Sequence, residues 1–386
     1  MGGMASPSAS VDVSAMPTAA ELRARFETVP PGTIGLEEEV MLLDPTTHDL
    51  AGVARDVLAG LEGDRRFKLE LPASQLEIVT PPCATVPEAI DALGQGRRDL
   101  SAATAGRCLP AGGGVHPLAR LQGELNDTAR YRRTLERHGP AARAQLVQAL
   151  HVHVAVGGGD RALAVYAALR PWLAALAALG ANAPFAAGRD TGLASVRPLI
   201  GGLLPRQGVP PELASWEHYA GALAWLARAG AVSSAGHWWW EMRLHPLHAT
   251  VELRLFDTQV TLRETAAIAA FVHALAHDLA AGHDAGEPVP AAEDWRLAEN
   301  RWSALRDGLD APLADLATGE PVPARERLRA LADRLAPWGR PLGCSAELAW
   351  ARTLLEGEGG AGAQRRAAAQ EGVGGVPGWL ARRFSP

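Results

Sequence analysis

Glutamate residues recur at a spacing of two in segments that otherwise have the composition of buried β-strands. In TIGLEEEVMLLDP, residues 33–45, Glu37 and Glu39 lie on one face of the predicted strand and Glu38 lies on the other. Two neighbouring carboxylates repel each other, and burial adds a desolvation penalty unless a cation neutralises them. The pair Glu37 and Glu39 therefore predicts a cation-binding site.

Two later segments repeat this arrangement. In ASQLEIVTPP, Glu77 lies on the polar face of a strand, and Glu70 lies shortly before that strand. In TVELRLFD, Glu252 and Arg254 share one face while apolar residues occupy the other. The solvated side of an antiparallel sheet explains any one such strand, but it explains the whole set less well.

Arginine and histidine residues follow the same alternation. Glu241, Arg243 and His245 share a face in HWWWEMRLHP, and His151 and His153 alternate with valines in ALHVHVAVG. A sheet face that carries carboxylates, arginines and histidines suits oxygen-ligated cations together with bound anions. Phosphoryl transfer from a magnesium nucleotide is the chemistry that uses both.

Two alternative interpretations concern the histidines and tryptophans. A zinc site is the alternative to magnesium, because H-x-H on a strand presents two imidazoles on one face; it would draw on His151, His153, His237, His245 and His248. The excess of carboxylates favours a harder cation. The run Trp238–Trp240 could stack on a sugar or base, but aromatic side chains buried on alternate faces of a strand are favoured.

Composition narrows the class of protein. The chain has 386 residues, 47% of them hydrophobic, and a formal charge of −6, which argues against a general nucleic-acid or anionic-membrane binder. Three widely spaced cysteines indicate neither a disulfide framework nor a zinc ribbon. Lys68 is the only lysine, which excludes a lysine-based phosphate loop elsewhere. Without a signal-peptide pattern or an obvious membrane span, we expect a cytoplasmic soluble protein.

The order of predicted elements indicates an α+β fold. Strands crowd the first two thirds of the chain and helices dominate from Leu262 onward, so a mainly antiparallel sheet is favoured over a βαβ array. Helices are predicted at 52–62, 86–106, 160–180 and 212–229, with glycine-rich breaks at 282–286 and 357–375. The predicted organisation is a mobile tail over 1–28, a single catalytic domain over 29–356, and a glycine-rich segment over 357–386.

Taken together and in order, the motifs resemble the glutamate-cysteine ligase type 2 family, also called the YbdK-type carboxylate-amine ligases. The likeness is carried by TIGLEEEVMLLDP, LPASQLEIVTPP, GGGVHPLA, ALHVHVAVG, RDTGLASVRPLI, ATVELRLFDTQ and ENRWSALRDGLDA. The resemblance implies a curved, mostly antiparallel sheet that forms a cup for ATP and magnesium ions and is wrapped by helices. It also implies that ATP converts a substrate carboxylate into an acyl phosphate, which an amine then attacks.

Site residues follow from matching these motifs position by position. The resemblance implies four metal ligands: Glu37, Glu39, Glu77 and Glu252. Arg254 would face the transferring phosphoryl group, so the expected catalytic residues are Arg254, Glu37 and Glu77. Glu70 falls where the family often has an acidic residue.

Four further residues are expected to contact nucleotide or substrate: His151, His153, Arg243 and Arg197. The expected cofactors are ATP and Mg²⁺, and the expected substrates are a small carboxylic acid and an amine, plausibly glutamate and cysteine. Other substrate pairs on the same scaffold, or nucleotide binding without turnover, are the alternatives. The sequence does not reveal the oligomeric state; a homodimer is a common state of cytoplasmic enzymes.

Overall fold

A seven-stranded sheet forms the centre of the computed structural model, which describes residues 16–61, 63–290 and 292–384. Within these residues the strands are β1 (Ile34–Leu43), β2 (Phe67–Leu69), β3 (Gln75–Val79), β4 (Leu109–Ala111), β5 (Ala149–Val154), β6 (Phe185–Ala186), β7 (Arg189–Asp190), β8 (Met242–Leu244), β9 (Val251–Asp257), β10 (Pro312–Ala314) and β11 (Pro321–Pro323). The main sheet has the order β2-β3-β1-β5-β9-β8, with β4 beside β1.

Helices surround this sheet and make up most of the chain after β9. In the described ranges they are α1 (Ala19–Thr28), α2 (Ala54–Ala59), α3 (Val86–Thr104), α4 (Ala129–His138), α5 (Pro140–Arg143), α6 (Gly159–Leu169), α7 (Leu173–Leu179), α8 (Arg197–Gly201), α9 (Trp216–Arg228), α10 (Leu262–Asp284), α11 (Asp294–Asp307), α12 (Ala324–Leu335), α13 (Ser345–Glu356), α14 (Gly359–Glu371) and α15 (Val376–Phe384). The predicted α+β class with a helical final third is confirmed.

Every pair of strands in the main sheet is antiparallel, as the alternating residue pattern predicts. The register places polar residues side by side on one face: Glu37 opposite His151, Glu39 opposite Glu77, Lys68 opposite Glu77, His153 opposite Glu252, and Arg243 opposite Glu252. Residues that are distant in sequence thus meet in one patch.

The other face of the sheet packs against helices. Leu36, Val40, Leu76 and Val152 are fully buried in the main hydrophobic cluster, which α3 and α10 complete. This division follows from the period-two pattern of the strands, because alternate side chains point to opposite faces. One face therefore forms the core and the other remains available for polar groups.

The N-terminal region is more ordered than the predicted mobile tail over 1–28. Residues 1–15 lie outside the described ranges, but Ala19–Thr28 form α1, whose start is fixed by a capping box between Thr18 and Glu21. Leu22 and Phe26 are buried, and the Phe26 ring lies 5.2 Å from the ring of Trp216. Two apolar side chains on one helical face supply the packing that composition alone did not reveal.

The C-terminal region also differs from the prediction, because the expected break over 357–375 contains helix α14. Glycine at 360 permits close packing: a Cβ atom there would lie 2.6 Å from Oδ1 of Asn182. Gln364, one turn further, donates hydrogen bonds to the carbonyl and side-chain oxygens of Asn182. The following helix α15 packs on β4, so this segment is part of the same packed body.

Two more predicted elements are shorter than expected. The segment HWWWEMRLHP is a strand only at Met242–Leu244, because the guanidinium of Arg243 binds the carbonyl oxygens of Gly236 and Trp238 and folds the preceding residues back. The helix predicted over 160–180 is interrupted between α6 and α7 by a turn that contains Pro171.

Two helical stretches, residues 159–179 and 262–284, are long and apolar enough by composition to cross a membrane. Most of each apolar window is buried within the protein (67% and 72%), as is common for core helices of globular proteins.

Candidate active site

A cavity of about 470 Å³ opens on the polar face of the main sheet. Its walls come from β1, β2, β3, β5, β8 and β9, from helix α4, and from the segments before and after β8. The charged residues that line it are Glu37, Glu39, Lys68, Glu70, Glu77, Arg130, Arg243 and Arg254. Acidic side chains therefore cluster on the strands of the floor.

One group of potential metal ligands joins Glu37, His153 and Glu252, whose ligand atoms all lie within 4.8 Å of one another. Nε2 of His153 is buried without a hydrogen-bond partner, 3.7 Å from Glu37 Oε1 and 3.9 Å from Glu252 Oε1. Its Nδ1 lies 2.9 Å from Thr250 Oγ1. If Nδ1–H donates to Thr250, the lone pair of Nε2 faces the two carboxylates, which fits a divalent cation between the three residues.

A second group joins Glu37, Glu77 and His151 within the same 4.8 Å limit. His151 Nδ1 lies 2.9 Å from Glu37 Oε2. Burial raises the pKa of the Glu77 carboxyl well above its usual range, and the nearby charges of Glu37 and Glu70 raise it further. Because Glu37 belongs to both groups, a cation held by either group would have this carboxylate among its ligands.

Glu39 lies in the cavity but in neither ligand group. Its Oε2 accepts a hydrogen bond of 2.6 Å from the backbone N–H of Ala149. Burial and the neighbouring Glu70 raise the pKa of Glu39 to about 8. The structure therefore brings together three of the four expected metal carboxylates, adds two histidines to them, and leaves Glu39 at the edge.

Two arginines are fixed beside the carboxylates by Glu252. Arg243 forms a two-point ion pair with Glu252, and Arg254 Nη1 bonds the same carboxylate. Burial works against ionisation of Glu252, but Arg243 and Arg254 outweigh it and hold its pKa well below the usual range. Arg254 lines the cavity with 21% of its side chain exposed, so its guanidinium can also reach a bound anion.

Arg197 lies apart from the residues that line the cavity. Its Nε donates a 2.6 Å hydrogen bond to Asp257, and its Nη2 donates to the carbonyl oxygen of Leu255. Asp257 also accepts from the N–H of Asn182 and the hydroxyl of Ser195. In this structure Arg197 thus fastens the 195–197 segment to β9 instead of presenting a free guanidinium.

The histidines do not gather into one zinc site within the described residues. His245 Nδ1 accepts hydrogen bonds from the backbone N–H groups of Leu247 and His248, so it shapes the turn between β8 and β9. His248 stacks on His245 at 4.2 Å, whereas His237 packs against Trp239 at the cavity mouth. Both ligand groups instead combine one histidine with two glutamates.

Glu241 and the tryptophans also differ from expectation. The carboxylate of Glu241 is held by a two-point ion pair with Arg301 of α11, at 2.8 Å for each contact. Trp238 is buried, but Trp239 is only half-buried and lines the cavity, where the guanidinium of Arg206 lies 4.9 Å from its ring. Neither tryptophan belongs to a strand, so the favoured interpretation of aromatic residues on alternate strand faces was wrong.

Sequence reasoning missed Lys68 as a site residue. Its Nζ lies 3.6 Å from Glu37 Oε1 and 3.8 Å from Glu77 Oε1, and its side chain lines the cavity. The available signal was the pattern KLEL, which places Lys68 and Glu70 on one face of a short strand. That strand is three residues long, and its pairing with β3 cannot be read from the sequence alone.

A smaller cavity of about 170 Å³ adjoins the first at Glu37 and His248, which line both. Its other walls are mainly aliphatic side chains and threonines, among them Val29, Val79 and Thr250. Gly35 lies on the floor, where a Cβ atom would meet only the Cβ of His153, at 3.8 Å. The polar face of the sheet thus carries a charged cavity and an apolar one, which meet at Glu37.

Comparison of sequences identifies relatives over almost the whole chain. The sequence profile of glutamate-cysteine ligase family 2 matches residues 33–376. A Rubrobacter xylanophilus protein provisionally named glutamate–cysteine ligase 2-3 is 41% identical over 359 residues, which cover 91% of this chain and 96% of that protein. A Clavibacter sepedonicus protein provisionally named glutamate–cysteine ligase 2 is 34% identical over 84% of this chain and 86% of its own length.

Solved structures share the fold at low sequence identity. The glutamate–cysteine ligase of Francisella tularensis, solved in complex with AMP, superposes with a TM-score of 0.67 at 13% identity and covers 92% of this chain and 89% of that one. A bifunctional glutathione synthetase from Pasteurella multocida gives a TM-score of 0.66 at 15% identity, over 95% of this chain and 53% of that one. The chain therefore belongs to glutamate-cysteine ligase family 2 and is an enzyme of the glutamate–cysteine ligase type.

Proposed function

We propose that this enzyme is an ATP- and Mg²⁺-dependent carboxylate–amine ligase that joins glutamate to cysteine through an acyl phosphate. The observation that carries the proposal is the unpartnered Nε2 of His153, buried between Glu37 and Glu252 beside two fixed arginines. Three ligand atoms in that arrangement suit a divalent cation, and the arginines suit the phosphate that such a cation accompanies.

Bound Mg²⁺ would neutralise phosphate oxygens and draw electron density from the γ-phosphorus. The residues that would hold it are Glu37, Glu77 and Glu252, with His151 and His153 as nitrogen donors, and Glu39 beside them. Arg254 would donate hydrogen bonds to the phosphoryl group in transfer. Arg243 orients the carboxylate of Glu252 and thereby keeps Arg254 in place.

The proposed reaction has two displacements. An oxygen of the substrate carboxylate attacks the γ-phosphorus; a new O–P bond forms, the bond to the β,γ-bridging oxygen breaks, and ADP leaves with that electron pair. The amino group of the second substrate then attacks the acyl carbon, so that a C–N bond forms and phosphate leaves. The proton lost by the amine passes to solvent, and the thiol of cysteine takes no part.

The two cavities differ in polarity, which supports assigning the nucleobase to one and the amino-acid substrates to the other. The smaller cavity is mainly apolar and, among the described residues, no arginine or lysine lines it, so it suits an uncharged nucleobase better than an amino-acid carboxylate. The larger cavity contains the charged groups that zwitterionic substrates require. In this arrangement the triphosphate lies across Glu37, where the two cavities meet.

The test is ADP release by the purified protein with ATP and Mg²⁺, comparing glutamate alone, glutamate with cysteine, and a panel of other acids and amines. Glu37→Gln serves as the inactive variant and Glu136→Gln, on the exposed side of α4, as the matched control. ADP formed only with glutamate and cysteine, with a product of the dipeptide's mass, is the expected result. Turnover with another pair would replace the substrates, and no ADP with any pair would contradict the proposal.

A homodimer and a cytoplasmic location stay predictions from the sequence. The three cysteines, Cys83, Cys108 and Cys344, are buried as free thiols, which accords with a reducing compartment.

A further inference from the structure

Lys68 is the only lysine among 386 residues, and the fold places it over the carboxylates of the site. It lies on β2 opposite Glu77 in the register, so its side chain shares the polar face of the sheet. Nζ lies 3.6 Å from Glu37 and 3.8 Å from Glu77; the side chain lines the cavity, and 46% of its surface is exposed. A cation therefore lies against both carboxylates while remaining open to solvent.

The contacts of Lys68 differ from those of the arginines beside it. Arg243 and Arg254 are tied to Glu252 by hydrogen bonds, whereas the distances from Lys68 Nζ exceed hydrogen-bonding length. Among the described residues, no acceptor forms a hydrogen bond with Nζ. The attraction is one of charge alone, which leaves three N–H donors available to a ligand.

The choice of residue type has a physical reason. Every other basic residue of the Lys/Arg kind in the chain is an arginine, whose planar guanidinium suits fixed, two-point pairing. A lysine ammonium is a compact charge on a flexible four-carbon stem, so it can follow a group that moves. Phosphoryl transfer moves negative charge between oxygens, and Lys68 is placed where that charge would move.

We propose that Lys68 is a further catalytic residue, whose ammonium binds the phosphoryl group that passes from ATP to the substrate carboxylate. This inference rests on the proposed ligase function. When no cation is bound, the ammonium is held by Glu37 and Glu77; once these carboxylates bind a cation, its donors become free for phosphoryl oxygens. Lys68 takes no proton in this step: the O–P bond forms, the bridging O–P bond breaks, and ADP carries away the electron pair.

The kinetic test compares Lys68→Met, Lys68→Arg and the matched control Arg65→Met, an exposed cation three residues earlier. Loss of one donor to the transition state typically lowers kcat by about 10²–10³-fold, so we expect this for Lys68→Met. The KM for ATP should change by less than about threefold, because the contact forms mainly in the transition state. Lys68→Arg should recover part of kcat, and Arg65→Met should match the wild type. A Lys68→Met enzyme with kcat within about threefold of the wild type would refute the role.

A second readout does not depend on turnover. Because the chain has one lysine, acetylation by an N-hydroxysuccinimide ester can be followed at Lys68 by peptide mass spectrometry. ADP with Mg²⁺ and aluminium fluoride, an analogue of the phosphoryl group in transfer, should slow this acetylation at least about fivefold, whereas Mg²⁺ alone should not slow it. Equal rates with and without the analogue would contradict the contact. Protection in an enzyme that turns over no substrate pair would retain the contact and reject the ligase reaction.

Discussion

Both faces of β1 carry glutamate, but the glutamates on the two faces have different partners. On the helix side, Glu38 is fully buried and forms a two-point ion pair with Arg97, at 2.6 and 2.8 Å. Arg97 also donates to the carbonyl oxygens of Val260 and Phe384. On the cavity side, Glu37 lies 2.9 Å from His151 Nδ1 and 3.6 Å from Lys68 Nζ, and Glu77 lies 3.8 Å from the same Nζ. Of the three consecutive glutamates, Glu38 thus has a two-point ion pair inside the core, whereas Glu37 and Glu39 face the cavity.

This difference separates a structural carboxylate from a ligand-binding one. Glu38 lines neither cavity, and both of its oxygens are held by Arg97, so this buried charge contributes to the fold. Glu37 and Glu77 instead line the cavity, where the partly exposed Lys68 is a nearby cation and a further cation would compensate their charge more fully. Glu38 therefore fastens β1 to α3 and, through Arg97, to the C-terminal helix α15, while Glu37 and Glu77 are the carboxylates that the proposed function assigns to cation binding.

The largest expected effect comes from Glu37→Gln, because Glu37 belongs to both ligand groups. We expect kcat/KM to fall by at least about 10³-fold, since a cation held by either group loses a carboxylate. The apo protein should keep its circular dichroism spectrum and melt at a slightly lower temperature, because burial opposes ionisation of Glu37 but His151 and His153 outweigh it and hold the pKa of Glu37 well below its usual range. Activity within tenfold of the wild type would show that Glu37 does not hold the cation.

Glu38→Gln should lower the free energy of unfolding, whereas Glu37→Gln should lower the catalytic rate. Removing one partner of a buried pair leaves Arg97 charged and unpaired, which typically destabilises by about 3–5 kcal/mol. Urea unfolding measures this change. The double variant Glu38→Leu with Arg97→Met is the matched control and should recover much of the loss. A loss below about 1 kcal/mol would remove the contrast between the two faces.

Arg254→Ala should slow phosphoryl transfer more than it weakens ATP binding. We expect kcat to fall about 10²-fold while the KM for ATP changes by less than about threefold, because the guanidinium acts on charge that develops in the transition state. Arg243→Ala is a useful comparison, since Arg243 also holds the 236–238 segment and should lower stability as well. An Arg254→Ala effect confined to KM would assign Arg254 to ground-state binding.

Gly35→Val tests the division between the charged and apolar cavities. The added side chain would occupy the floor of the smaller cavity, next to His153. We expect the KM for ATP to rise about tenfold, or about 1.4 kcal/mol, with a smaller change in the KM for either amino acid. Selective loss of amino-acid binding would reverse the assignment of the two cavities.

The smallest expected effect concerns Glu39→Gln and pH. The pKa of Glu39 is raised by burial and Glu70 to about 8 from an ordinary 4.5, although Arg254, Arg197 and the N–H of Ala149 oppose this shift. Below pH 4.5 the carboxyl is protonated in both folded and unfolded protein; between pH 4.5 and 8 only the unfolded state ionises, so stability falls as pH rises.

Replacing Glu39 with glutamine should remove the fall in stability between pH 4.5 and 8. The apo variant should melt roughly 2 °C or more above the wild type at pH 8 and at the same temperature near pH 4.5. Thermal unfolding in the presence of a chelator measures this difference. A constant offset at both pH values would show that packing, and not ionisation, distinguishes the two side chains.

The sequence was sufficient to predict which face of β1 each glutamate occupies. It was not sufficient to predict which residue each glutamate pairs with. Period-two alternation predicted that Glu37 and Glu39 share a face and that Glu38 points away. The partner of Glu38 lies 59 residues away on α3, and no local pattern predicts that pairing. Glu39 differs from Glu37 only through its neighbours in the folded sheet, which alternation does not specify.

Other differences between expectation and structure have the same physical origin. Arg197 has the residue type of a binding site, but Asp257 binds its guanidinium through a contact across 60 residues. Lys68 was overlooked because a three-residue strand gives too short a pattern to define a face. Residue type and alternation predicted which polar residues share one face of the sheet, and tertiary pairing decided which of them are held by partners within the fold.

The most direct test of the central claim is electron spin-echo envelope modulation of Mn²⁺ bound to the protein with ADP. A cation between Glu37, His153 and Glu252 should show the modulation of a directly coordinated imidazole nitrogen, and His153→Gln should reduce or remove it. Glu37→Gln should abolish tight Mn²⁺ binding, whereas Arg65→Met should leave the spectrum unchanged. Bound Mn²⁺ with the same nitrogen signal in wild type and His153→Gln, or unaltered Mn²⁺ affinity in Glu37→Gln, would contradict the proposed cation site.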